Sequence, residues 1–138
     1  MNIRTVLGAA CTCIAIAAAT PSVAQNKGEV VTPNFDQALP GIPGKSLIAV
    51  TVDYAPGAAS PSHSHAKSAF IYAFVISGNI ESQVNDGQQR IYHAGESFFE
   101  LPGAHHVVSR NASSTEPAKL LAVFVVDTKD RALTTPDK

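Results

Sequence analysis

Cysteine is missing from nearly the whole chain: Cys11 and Cys13 are the only two, and both lie in an apolar N-terminal run. Everything beyond that run must hold together by packing, because disulfide staples are excluded even in an oxidising compartment. Clusters of positive charge are missing too. The ten Lys and Arg are scattered singly among eleven Asp and Glu, with no basic stripe to track a phosphate backbone, which excludes nucleic acid as a partner. Beyond the N-terminal run, no window of about 12 residues combines helical periodicity with a cap, so helical bundles and α/β folds are excluded. Nucleophile triads, paired carboxylates and phosphate-cradling glycine loops are also lacking. One further absence is local: no Asp or Glu occurs between Asp53 and Glu81.

The first 25 residues, MNIRTVLGAACTCIAIAAATPSVAQ, have the three parts of an export signal. Arg4 is the positive start, Val6 to Ala19 the apolar run, and Ser22-Val23-Ala24 the small residues that signal peptidase reads. The run is too short and too weakly flanked for a membrane anchor. Cleavage after Ala24 gives a periplasmic or secreted protein starting at Gln25. A lipid-modified Cys11 is the competing reading, but almost no apolar segment would precede it. Loss of Arg4 makes the formal charge of −1 more negative by one.

After this signal (1–24), an N-terminal arm (25–45) is broken by Pro33, Pro40 and Pro43, with one edge strand expected at Glu29 to Thr32. Short strands then follow one another, separated by Gly and Pro: Ser46 to Tyr54, Ala69 to Ser77, Ile80 to Val84, Gln88 to Tyr92, Ser97 to Leu101, His106 to Arg110 and Leu120 to Asp127. Asn85-Asp86-Gly87 is a hairpin turn. The pattern predicts one all-β sandwich or small barrel over 46–127, with a polar tail (128–138) frayed or draped on its surface.

Chemistry concentrates in HSHAKSAFIYAFVISG, His63 to Gly78. Residues two apart on a strand share a face about 6.6 Å apart, so His63 and His65 can converge on one ion. Alone, such a pair is as well explained by solvated loop histidines. Two spacings add to it: Gly57, five residues, then His63-Ser64-His65; and Gly95, ten residues, then His106. With these spacings the chain resembles a cupin, a single-domain type-2 cupin of the small quercetin-dioxygenase-like kind, over about Leu47 to Val126.

The resemblance implies a double-stranded β-helix, or jelly-roll barrel, holding a divalent metal ion (Fe, Zn, Mn, Ni or Cu) on His63, His65 and His106. It also exposes departures. The glutamate of the family's first motif falls at Ile71 counted back from Gly78, or at Ala69 or Phe70 counted forward from His65, and none of these can ligate. In the second motif Leu101 replaces the usual Pro, beside Pro102-Gly103, and Asn111 stands one position late. Three neutral imidazoles without an acid would leave a bound ion its full double charge and an open position, suited to a small anionic or oxygen-rich organic molecule. A metal-dependent dioxygenase or isomerase-like reaction is the catalytic version. A noncatalytic metabolite- or metal-binding protein, or a vestigial pocket without metal, are the alternatives.

Neighbouring residues carry weaker expectations. His105 faces away from His106, His93 lies on the surface, Glu96 serves its turn, and Glu100, between Phe99 and Leu101, takes an outward strand position, with an inward swing as a substitute ligand the lesser alternative. Tyr72 and Gln83 are polar groups that could line the pocket. If the inward phase of His63 and His65 survives the following loop, Ile71, Ala73 and Val75 point inward, while Phe70, Tyr72 and Phe74 form an outer apolar face to be covered either by a second sheet of the same chain or by a homodimer partner.

Export is open to direct test. N-terminal sequencing of the mature protein is expected to start at Gln25; a product that keeps Met1 or is acylated at Cys11 would contradict the assignment.

Overall fold

The structure, a computed structural model, describes residues 28–138; the expected export signal lies outside them. Strict alternation builds the longest strands. In β2 (Lys45–Tyr54) Ser46, Ile48, Val50, Val52 and Tyr54 are buried, and in β9 (Ala118–Asp127) Ala118, Leu120, Ala122, Phe124 and Val126 are buried. Their period of two suits a sheet with one face packed and one wet. β4 (Phe70–Ser77) has the phase expected from the histidines: Ile71, Ala73 and Val75 are buried, Phe70 and Tyr72 exposed, and Phe74 half-buried.

These strands lie in a sheet ordered β1-β2-β9-β4-β7, where β1 is Glu29–Ala38 and β7 is Ser97–Glu100. A second sheet has the order β10-β3-β8-β5-β6, formed by Thr134–Pro136, His63–His65, His105–Asn111, Asn79–Val84 and Arg90–His93. Every pairing is antiparallel. The all-β chain folds as a double-stranded β-helix with its core between the two sheets. Among the described residues no helix is long and apolar enough to cross a membrane.

Ile71, Val75, Ile80 and Val126 are the largest fully buried apolar side chains, each stabilising the fold by about 1.5–3 kcal/mol relative to exposure. Tyr54 crosses the core to meet the Ser60 and Ser109 hydroxyls at 2.6 and 2.9 Å. Burial, partly offset by those bonds, pushes its phenol up to about 12. Gly78 permits the tight passage from β4 to β5: its φ is +70°, and a Cβ there would lie 2.5 Å from the Pro117 carbonyl oxygen.

Two segments differ from expectation. The edge strand forecast at Glu29 to Thr32 runs on to Ala38, pairing with β2 across an irregularity between Pro33 and Phe35. The tail, expected to fray or drape, adds strand β10 along β3, so Thr134 pairs with His65 and Pro136 with His63. Its neighbour Leu133 offers a carbonyl to the Ala66 N–H at 3.1 Å.

The outer face of the first sheet keeps an apolar character. Phe70, Tyr72, Phe99 and Leu101 are exposed, and the Phe70 and Phe99 rings stack 5.9 Å apart. All of β1 after Glu29 is exposed, including Val30, Val31 and Phe35.

Candidate metal centre

Strand register brings the three histidines together. His63 sits directly opposite His106 across β3 and β8, and His65 lies two residues along the same face as His63. The rings of His63 and His65 meet edge to face at 4.8 Å, and His106 completes the group at 5.4 Å from His63 and 6.0 Å from His65. His65 and His106 are buried, whereas His63 is half-buried. Phe124 and Phe98 wall the group at 5.8 Å from His65 and 6.0 Å from His106.

Each ring has one nitrogen engaged by an outer group. His63 Nδ1–H donates to the Pro61 carbonyl oxygen at 2.7 Å, and His65 Nδ1–H donates to that of Leu133 at 3.3 Å. His106 Nε2 lies 2.8 Å from Ser82 Oγ. The remaining nitrogens are left for the interior. Outer partners of this kind set the tautomer and aim of a metal-binding imidazole. Three ligand atoms, one from each histidine, lie within 4.8 Å of one another. Nitrogens bound to one ion at about 2.1 Å in a tetrahedral arrangement lie about 3.4 Å apart, so closing around an ion would draw the widest pair together by up to about 1.4 Å, shared between the two side chains.

Glu100, expected on the outside, faces inward and is 3% exposed. Its Oε2 is 3.0 Å from His65 Nε2 and its Oε1 is 3.3 Å from His106 Nδ1. The site therefore does contain a carboxylate, although Ile71 occupies the motif position. Proximity does not produce a hydrogen bond at His65. Both His65 Nε2 and Glu100 Oε2 are buried without a partner of acceptable geometry, an arrangement that costs about 1–3 kcal/mol per group and that a cation would relieve. This donor set fits a first-row divalent ion.

Burial is the main force holding the His106 imidazolium off, pushing its pKa down to about 4, with Glu100 opposing. Burial likewise lowers His63, against the Pro61 hydrogen bond. For Glu100 burial acts upward, but the histidines outweigh it and hold the carboxyl below its ordinary value. Near neutral pH, His63 and His106 are thus neutral and Glu100 is charged, the states needed for ligation.

The other candidates fall outside this group. His105 points away, its Nε2 2.8 Å from Asp137 Oδ2 and 2.9 Å from Ser62 Oγ. His93 is exposed and bonds Asn79 at 2.7 Å, while Glu96 accepts the His93 N–H and pairs with Arg90. Tyr72 and Gln83 do not line the interior: Tyr72 is exposed on the outer sheet face, and Gln83 donates to the Gly87 carbonyl at 3.1 Å in its own turn. Asn111, despite its shifted position, is buried and donates to the carbonyls of Ala55 and Glu116, tying two loops together. The sequence left Glu100 as only the lesser alternative for a ligand because Phe98-Phe99 fits either phase. The available signal was Ser97, whose polar side chain marks 97 and 99 as outward and 98 and 100 as inward.

Acid should destabilise the metal-free protein. Unfolded histidine takes up its proton near pH 6.5, while His106 in the fold refuses it until about 4, so about 3 kcal/mol of stability is lost as pH falls through that window. Glu100, with its folded value depressed, loses its contribution in the same direction at lower pH. Urea midpoints of chelator-treated protein are expected to fall steadily from pH 7.5 to 4; a flat profile would contradict these environments.

Comparison with known proteins agrees with this architecture. Residues 50–124, more than half of the chain, match the family described as the Cupin domain. Germin-like protein subfamily 2 member 2 of Arabidopsis thaliana is 29% identical over 101 residues, covering 70% of this chain and 45% of its own; the chain spans less than half the length of that relative. A solved oxalate oxidase in complex with the substrate analogue glycolate is 27% identical with a TM-score of 0.59, covering 75% of this chain and 53% of that one. A double-stranded β-helix protein from Klebsiella pneumoniae shares the fold at a TM-score of 0.62 and 21% identity, covering 86% of this chain and 90% of its own. With the family match falling on the strands that carry the three histidines, the chain belongs to the cupin family.

Proposed function

We propose that this is an exported cupin that holds one divalent metal ion on His63, His65 and His106 and presents it to a small anionic or oxygen-rich organic molecule. The observation that carries the reading is the shared design of the three rings: each has one nitrogen engaged by Pro61, Leu133 or Ser82, and a ligand atom from each lies within 4.8 Å of the others. Iron, zinc, manganese, nickel and copper all suit imidazole and carboxylate donors. A ligand would enter past His63, the least buried member. Similarity to an oxalate oxidase seen with glycolate supports a small hydroxy- or dicarboxylate as the ligand class.

Turnover would rest on the ion polarising a chelating oxygen group, in dioxygenase or isomerase-like chemistry. A second reading is binding without turnover: Glu100, the carboxylate that lies against His65 and His106, would serve the ion as a ligand and not a substrate as a base.

Calorimetric titration of chelator-treated protein with zinc at pH 8 is expected to show one site per chain. Replacing His63 with Ala should weaken it by more than about 100-fold without unfolding the protein, since His63 is half-buried. Absence of binding in the folded wild type would overturn the proposal.

We also infer a homodimer formed through the outer face of the first sheet. Its support is the exposed set Phe70, Tyr72, Phe99 and Leu101 at the β4-β7 edge of that sheet. Sedimentation is expected to show a dimer that Phe70→Asp weakens; a monomer at every accessible concentration would contradict it.

A further inference from the structure

The inner carboxylate suggests an assignment beyond the three histidines, resting on the proposed metal site. We propose that Glu100 is the fourth protein ligand, delivered from β7, so that a divalent ion is held by three imidazoles and one carboxylate with its open positions confined to the His63 side.

Ligand-to-ligand spacing is the first support. Atoms bound next to each other on one ion at about 2.1 Å lie about 3.0 Å apart in an octahedral arrangement and about 3.4 Å apart in a tetrahedral one. The contacts of Glu100 are 3.0 Å to His65 Nε2 and 3.3 Å to His106 Nδ1. Both values fall at neighbouring-ligand distance.

Orientation is the second. A carboxylate that merely anchored an imidazole would accept its N–H. At His65 that bond is missing: Nε2 and Oε2 lie close together, buried, and without a hydrogen bond. The other His65 nitrogen already serves Leu133, so Nε2 is the atom left facing Oε2. Two buried polar atoms set side by side without a hydrogen bond are a place that a cation would satisfy.

Register is the third. Glu100 pairs directly with Ile71 across β4 and β7, and both side chains are buried on the same inner face. The glutamate that the motif comparison expects at Ile71 is therefore replaced by one on the adjoining strand, directly across the ladder.

The test uses the mature full-length protein, stripped with chelator and reloaded with zinc for calorimetry or cobalt(II) for visible spectroscopy. Glu100→Gln keeps the side-chain volume and removes the charge. It is expected to weaken zinc by more than about 100-fold, beyond the effect of losing an outer partner, and to shift the cobalt bands at saturating metal. The double exchange Ile71→Glu/Glu100→Ile returns one carboxylate to the same pair and is expected to recover affinity to within about tenfold of wild type. If Glu100→Gln binds zinc like wild type with unshifted cobalt bands, Glu100 is not a ligand, while the three-histidine reading stands. If Glu100→Gln weakens zinc but leaves the cobalt bands unshifted, Glu100 only positions the rings and the proposal fails. If the wild type itself binds neither metal, the underlying metal site is wrong. Should the double exchange not fold, the spectrum of Glu100→Gln decides alone.

Discussion

Three imidazoles and a carboxylate can be buried at one end of an apolar barrel only if they face one another. Any of them buried alone would be strongly destabilising, and an unpaired charge most of all. Much of the architecture meets this constraint. β3 and β8 align to set His63 opposite His106, β7 aligns with β4 to turn Glu100 inward, and the chain's last strand closes over β3 so that Leu133 can hold His65. Yet the protein groups do not fully satisfy one another, because His65 Nε2 and Glu100 Oε2 remain without hydrogen bonds. A metal ion would resolve what packing leaves open.

Legibility in the sequence followed the physics of burial. Strands β2, β4 and β9 were readable because one face is packed and the other wet, which writes a period of two into the residues. β1 was readable only at its start. Its remaining residues are exposed on both sides, so no alternation is imposed, and Pro33 looks like a terminator although it sits at an irregularity in an edge strand. β10 has three residues and no buried face. Pairing with β3 places it, and pairing is not a local property.

The site was legible in the same uneven way. His63, His65 and His106 were named from spacing, and the structure brings them within one group. Glu100 reads as outward first and as an inward ligand only second, because two phenylalanines in succession hide the phase of β7 and the motif spacing points to Ile71. Only three-dimensional register shows that the two positions are neighbours. The charge argument changes accordingly. An ion ligated by Glu100 carries one net positive charge instead of two, still enough to favour an anionic oxygen ligand, and the exposed edge of His63 is where that ligand would meet it.

The central claim is that this buried cluster is a metal site with mixed nitrogen and oxygen ligation, and X-ray absorption at the metal edge tests it most directly. Protein loaded with one equivalent of zinc is predicted to show the multiple scattering of three imidazole rings and a carboxylate oxygen in the first shell, at about 2.0–2.2 Å. A first shell of oxygen alone, with no imidazole signature, would place the ion elsewhere on the protein and contradict the account.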